Sequence, residues 1–239
     1  MIVSEKFRVG FKQTNENFEM TNSAMLNYFV DVAGIHSAMC GELIETSPTR
    51  WLVLGYKMRI FKRPKLRTYI IVSTWSSEIR GITALREFEI RDEDGELMAI
   101  CLSNWVSVNI ETRKMERLTE ERMGAYESEP ERTNFDNKEF EKMFIPESFD
   151  EKVEFVADWK LMDINRHMNN SNYLEVVEEF APLDFKEIVQ QYNFDINYKK
   201  EILCGQDILC CYKKTEDGCV VFLINKETND INSTIKYFK

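Results

Sequence analysis

Apolar residues recur at helical spacing in two places along the chain. Met25, Leu26, Phe29, Val30, Val32 and Ala33 follow Asn22 and Ser23, residue types that satisfy the free N–H groups of a helix start, and the run meets a sensible stop at Gly34. Tyr173, Leu174, Val176, Val177 and Phe180 follow Asn169 and Asn170 in the same way. Between these runs the period falls to two. Leu52, Leu54, Tyr56, Met58 and Ile60 alternate with Val53, Gly55, Lys57, Arg59 and Phe61, which predicts a strand over 52–60. Further strands are predicted over 69–76, 83–91 and 97–110, the last two joined by the hairpin turn Asp92-Glu93-Asp94-Gly95.

The second half repeats this order, with a strand over 192–200 and a hairpin turn at Glu216-Asp217-Gly218. Asn22 pairs with Asn169, Lys62 with Lys199 and Asp94 with Asp217, a repeat weak in letters and consistent in architecture. One long helix set against antiparallel strands, done twice, predicts an α+β fold. It consists of two tandem hot-dog modules, each a long helix wrapped by a curved antiparallel sheet. The stretch 116–149 is rich in Glu, Asp, Arg and Asn, carries Pro130 and Pro146, and reads as a connector with a short helix over 137–143. The expected division is an N-terminal module at 1–125, a polar connector at 126–150 and a C-terminal module at 151–239.

Composition narrows the class. A chain of 239 residues with 44% hydrophobic content can bury a sizeable core. Glu5, Lys6 and Arg8 interrupt the N-terminal region where a signal peptide needs an apolar stretch, and no 18-residue apolar run occurs, so a cytoplasmic protein without a membrane span is expected. Cys40, Cys101, Cys204, Cys210, Cys211 and Cys219 form no C-x-x-C pair and have only two histidines beside them, which favours buried reduced thiols over a metal site. No cofactor is expected. The net charge of −10 argues against nucleic-acid partners. Against that background Lys57, Arg59, Lys62, Arg63, Lys65 and Arg67 form a basic island, which reads either as the solvated face of a strand or as a local attractor for an anionic partner.

Candidate chemistry lies in Asp163-Ile164-Asn165-Arg166-His167. Spacing of i, i+2 and i+4 in an irregular segment can turn a carboxylate, an amide and an imidazole toward one point, ahead of a helix start whose free N–H groups favour a carbonyl oxygen. The same composition would also serve a turn and a helix cap.

Together with Tyr198-Lys199-Lys200-Glu201, the Asp163-x-Asn165-x-His167-x-Asn169-Asn170 segment resembles the acyl-acyl carrier protein thioesterases of bacteria and plastids, a likeness that spans nearly the whole chain. The resemblance implies a double hot-dog enzyme that releases fatty acid from acyl carrier protein. Its catalytic group would be Asp163, Asn165 and His167 on a loop, joined by Glu201 on the next strand. It also explains an asymmetry, because the first copy has Pro64 after Lys62-Arg63 where the second has Glu201, and nothing like the loop motif precedes Asn22. The first module is then expected to hold the acyl chain, with Met25, Phe29, Leu54 and Met58 as candidate tunnel walls or ordinary core. Arg59, Lys62, Arg63 and Lys65 are candidate docking residues for the acidic carrier protein, and a homodimer is compatible with the pattern. The plant members follow the catalytic Glu with Cys; here Ile202 stands there and Cys204 is displaced by two residues, which favours activated water over a thiol nucleophile.

Thioester hydrolysis needs a nucleophile and a place for the oxyanion, and little else, since a thiol of pKa about 8.5 leaves without much protonation. Glu201 is assigned as the base on water, its carboxyl raised by burial beside Ile202 and Leu203; direct attack by the same carboxylate, giving an anhydride, is the alternative. Asn165 would bond the carbonyl oxygen or the water, His167 would orient water or Glu201, and Asp163 would fix the imidazole tautomer or the amide. Two other readings remain. One keeps the fold and makes a coenzyme A thioesterase or a hydroxyacyl dehydratase, and the other is a non-catalytic acyl-chain binding module.

Overall fold

The computed structural model describes residues 1–239, which divide into two units, Met1–Lys138 and Glu139–Lys239. In the first, β1 (Val3–Arg8) leads through a 3-10 turn at Phe11–Gln13 into α1 (Asn22–Met39). The helix is capped by Thr21, whose side chain accepts from the Ala24 N–H, and not by the Asn22 and Ser23 side chains expected to do so. Nor does it stop at Gly34. Met25, Leu26, Phe29, Val32, Ala33 and His36 make one continuous buried face, and that burial outweighs the roughly 1 kcal/mol that a glycine costs in a helix. Phe29 stacks on Phe88 with ring centroids 4.7 Å apart.

Four strands follow: β2 (Thr49–Ile60), β3 (Tyr69–Arg80), β4 (Thr83–Asp92) and β5 (Leu97–Asn109). They form an antiparallel sheet in the order β1-β3-β4-β5-β2, and α1 packs on β3 and β1. The unit then adds α2 (Glu120–Gly124), which brings Leu118, Met123 and Tyr126 against Ala84. This short helix replaces the one expected over 137–143, where the chain is irregular. What fixes that region is an apolar anchor, Met143 buried on Cys211 and Phe222.

The second unit begins with β6 (Glu151–Val156) and a 3-10 turn at Trp159–Leu161. Its helix is broken where one long helix was expected. α3 (Asn172–Glu179) ends as Pro182 approaches, because proline disfavours helical geometry in the residue before it, and α4 (Leu183–Gln191) restarts from Pro182. β7 (Asn193–Tyr198), β8 (Asp207–Lys214), β9 (Gly218–Asn225) and β10 (Ile231–Phe238) complete an antiparallel sheet ordered β6-β8-β9-β10-β7. Gly218 is required at its place, since a Cβ there would lie 2.0 Å from the Tyr237 carbonyl oxygen.

The two sheets have one strand order, with β1 to β5 answering to β6, β7, β8, β9 and β10. That correspondence corrects one pairing of the repeat. The turn at Asp94 joins β4 to β5 and answers to the β9–β10 turn, whereas the turn at Asp217 joins β8 to β9 and answers to the one at Gly81. Trp75, Tyr56, Phe88, Phe194, Phe222 and Tyr237 are among the largest fully buried side chains.

Candidate active site

The loop that leads from the 3-10 turn to α3 is held by its own first carboxylate. Asp163 Oδ1 accepts from the backbone N–H of Asn165 at 2.7 Å and of His167 at 3.4 Å, and the Asp163 N–H donates to the His167 carbonyl at 2.7 Å. Asp163 Oδ2 accepts from Asn165 Nδ2 at 3.3 Å, so the aspartate orients the amide and touches the histidine through its backbone. Arg166, at φ 65°, turns the chain back, and His167 forms an antiparallel bridge with Leu203 while the Met168 N–H donates to Ile202 at 2.9 Å. This bridge sets Glu201 beside the imidazole. His167 Nδ1 lies 3.1 Å from Glu201 Oε1, the distance of a hydrogen bond from the ring N–H to the carboxylate.

Glu201 does not lie on a strand. β7 ends at Tyr198, and the following Lys199 and Lys200 N–H groups both donate to the Asn232 carbonyl. The Asn232 side-chain Nδ2 donates to the carbonyls of Lys200 at 3.3 Å and Glu201 at 3.1 Å. The expected burial of the Glu201 carboxyl is not found, because its side chain is 53% exposed and Leu203 is exposed as well. Ile202 alone is buried. Cys204 is exposed on the turn completed by Gly205 at φ 85°, so it is not the buried thiol expected. Cys40 is half-buried, and the other four cysteines are buried.

Behind the loop stand further residues, of which Tyr173 and Ser171 were indicated for it by no sequence pattern. Tyr173, counted only as apolar helix, has its ring edge-on to Tyr198 at 5.1 Å, and burial raises its hydroxyl pKa, with the Glu201 and Asp163 charges adding to the rise and an Ile202 backbone hydrogen bond opposing it. The Tyr198 hydroxyl donates to the Asn170 carbonyl at 2.7 Å. The Asn169 side chain accepts from Ser171, and Ser171 is the residue preceding α3, which displaces the expected caps by one position.

The first unit contains the same loop. Asn15 Oδ1 accepts from the N–H groups of Asn17 and Glu19, Phe18 has φ 60°, and Glu19 bridges to Lys65 as His167 does to Leu203. The Met20 N–H donates to Pro64 as Met168 does to Ile202. Asn15, Asn17 and Glu19 thus stand where Asp163, Asn165 and His167 stand, and Arg63, not Pro64, answers to Glu201. The same geometry moves the repeat by one residue, pairing Asn22 with Asn170 and Lys62 with Lys200.

Met25, Phe29 and Met58 are fully buried, and Leu54 is half-buried at a β-bulge of β2. The basic island is divided, because burial in this strand and its exit takes some cations inward. Arg63 is buried, donating to the Met20 carbonyl and Asn22 Oδ1 at 2.9 Å each, and Lys57 is buried on the Asn137 carbonyl. Arg63 is therefore not a surface residue that a partner can meet. Arg59 is half-buried over the Phe135 ring, Lys62 is exposed and paired with Glu96, and Lys65 and Arg67 are exposed.

The family described as the acyl-ACP thioesterase N-terminal domain matches residues 2–126, and its C-terminal domain matches 147–238. A chloroplastic palmitoyl-acyl carrier protein thioesterase of Arabidopsis thaliana is 28% identical over 71% of this chain and 42% of its own length. A chloroplastic oleoyl-acyl carrier protein thioesterase 2 of the same plant is 24% identical over 85% of this chain and 60% of its own. The chain spans about half the length of the curated relatives it matches. An acyl-ACP thioesterase from Bacteroides thetaiotaomicron shares the fold, with a TM-score of 0.86, 18% identity and coverage of 99% of this chain and 97% of the other. The 12:0-ACP thioesterase of Umbellularia californica does so at 0.82, with 17% identity and coverage of 99% and 96%. With both domains matched in order over most of its length and the double hot-dog fold in place, the chain belongs to the acyl-ACP thioesterase family.

Proposed function

We propose that the protein hydrolyses the thioester joining a fatty acyl chain to acyl carrier protein, with Asp163, Asn165, His167 and Glu201 as its catalytic machinery. The observation that carries this reading is the 3.1 Å contact of His167 Nδ1 with Glu201 Oε1, made beside an amide that Asp163 orients. Glu201 takes a proton from water as the oxygen attacks the carbonyl carbon. One Asn165 N–H is occupied by Asp163 and the other is available to the carbonyl oxygen, a contribution of ~2.7–4 kcal/mol to the barrier where such a donor meets an oxyanion. The C–S bond then breaks, the thiolate leaves, and the proton held by Glu201 passes to it. No metal or cofactor is needed for these steps. A cytoplasmic place in fatty acid synthesis belongs to the same proposal, supported by six cysteines that form no disulfide.

The exposure of Glu201 favours a second assignment of roles within the same reaction. A carboxylate 3.1 Å from His167 Nδ1 favours the tautomer with its proton on that nitrogen and a lone pair on Nε2, so that His167 becomes the base and Glu201 its orienter. Turnover of Glu201→Gln and His167→Gln on acyl carrier protein thioesters separates the two. If Glu201 is the base, its variant is the more damaged; if His167 is, the order reverses. Near-native turnover by both folded variants would overturn the proposed site, and formation of alkene instead of free acid would show dehydratase chemistry.

A further inference from the structure

Each unit carries a β-bulge at the same point of the strand that faces the loop's return segment. In the first, Met98 sits between Ile90↔Ala99 and Arg91↔Leu97, and its carbonyl accepts from the N–H groups of Phe61 and Lys62. In the second, Asn232 sits between Ile231↔Ile224 and Ser233↔Leu223, and its carbonyl accepts from Lys199 and Lys200. The backbone contacts match one for one. The side chains do not, for Met98 is a buried apolar residue while Asn232, 2% exposed, spends its amide N–H₂ on the carbonyls of Lys200 and Glu201.

A methionine at this bulge is enough to fold the strand exit, as the first unit demonstrates. The amide is therefore an addition found in the copy that bears Glu201. It carries a burden, because Asn232 Oδ1 is buried with no protein partner. Bulges next to sites re-aim neighbouring side chains, and a buried polar atom left without a partner calls for a compensating role. We infer that Asn232 is a positioning residue for the proposed hydrolysis: its amide clamps the peptide units on either side of the Glu201 Cα and so holds the carboxylate against His167. Lys200, paired with Asp230 at 2.6 Å, ties the same segment to the residues just before β10.

The inference rests on the proposed role of Glu201 and is tested with a double-mutant cycle on the intact chain. Asn232→Met installs the residue that Met98 shows to fit the bulge. It is expected to lower kcat about tenfold or more on an acyl carrier protein thioester while KM stays within about twofold, the signature of an interaction that matters in the transition state. In a Glu201→Gln background the same substitution should change the residual rate less than about twofold. Near-native kcat for Asn232→Met beside an inactive Glu201→Gln would overturn the inference alone, and equal losses in the two backgrounds would reduce Asn232 to a structural residue. Near-native Glu201→Gln would overturn the underlying reading. If Asn232→Met does not fold, Asn232→Asp, which keeps the shape and replaces the donor by an acceptor, is measured against the same outcomes.

Discussion

Arg63 stands in the first unit where Glu201 stands in the second, each one residue ahead of the carbonyl that binds Met20 or Met168. Arg63 turns inward to the Met20 carbonyl and Asn22, while Glu201 turns outward to His167. Substituting Arg63→Glu sets a carboxylate against those acceptors, and is expected to cost about 3 kcal/mol of stability, as when a buried charge loses its hydrogen-bonded partners. Thermal melts would register the loss. No activity should return when the change is made in a Glu201→Gln background, because Asn15 and Glu19 lack the groups that Asp163 and His167 supply.

His36 provides a pH dependence independent of the site. Burial, with the Arg86 charge adding to it, lowers its pKa from 6.5 to about 4, and Arg86 donates to Nδ1 at 3.0 Å. The neutral ring is the folded form, so the stabilising contribution is complete above pH 6.5 and is lost as pH falls from 6.5 toward 4, where the unfolded chain binds the proton first. The loss amounts to about 3 kcal/mol. Denaturant midpoints of the native protein and His36→Gln between pH 7 and 4.5 should converge as the pH drops; parallel curves would remove His36 from the account.

Met25, Phe29, Leu54 and Met58 are proposed to wall the acyl site. Larger or smaller apolar replacements should shift preference among acyl lengths for at least one of them, by no more than ~1–3 kcal/mol of discrimination. Leu54, half-buried where the other three are fully enclosed, is the position at which a change of selectivity should come with the smallest fall in melting temperature. Competition assays with mixed-length substrates measure it, and altered stability with constant selectivity at all four would mark them as core.

The acidic carrier protein is proposed to meet the exposed remainder of the basic island, Lys62, Lys65 and Arg67. Reversing Lys65 and Arg67 to Glu should raise KM for carrier-protein substrates severalfold at low salt and less near physiological ionic strength, where the Debye length is ~8 Å. An uncharged acyl-pantetheine should be hydrolysed as before. Equal loss on both substrates would make these cations structural.

The alternating strands β2 to β5 were legible because their period is local, and so was the grouping of Asp163, Asn165 and His167 in one loop, since the three lie within five residues. The repeat was legible at the helix and at the strand exit, where it was wrong by one residue in register, and it was wrong by one hairpin at Asp94 and Asp217. Lettered likeness between Lys62-Arg63 and Lys199-Lys200 competes with a pairing set by the Met20–Pro64 and Met168–Ile202 hydrogen bonds. Those bonds join residues far apart in the chain. The burial of Arg63, the exposure of Glu201 and the reach of Asn232 all depend on such long-range contacts, and no window of sequence contains them.

The two loops close in the same way, through an Asx side chain bonded to its own backbone and a left-handed residue, Phe18 or Arg166, three positions on. Asparagine does this as well as aspartate, and the residue that follows the turn is glutamate in one copy and histidine in the other. The loop is thus a socket whose shape is independent of what is plugged into it. The frame is common to both copies, and what distinguishes them is the few side chains it presents.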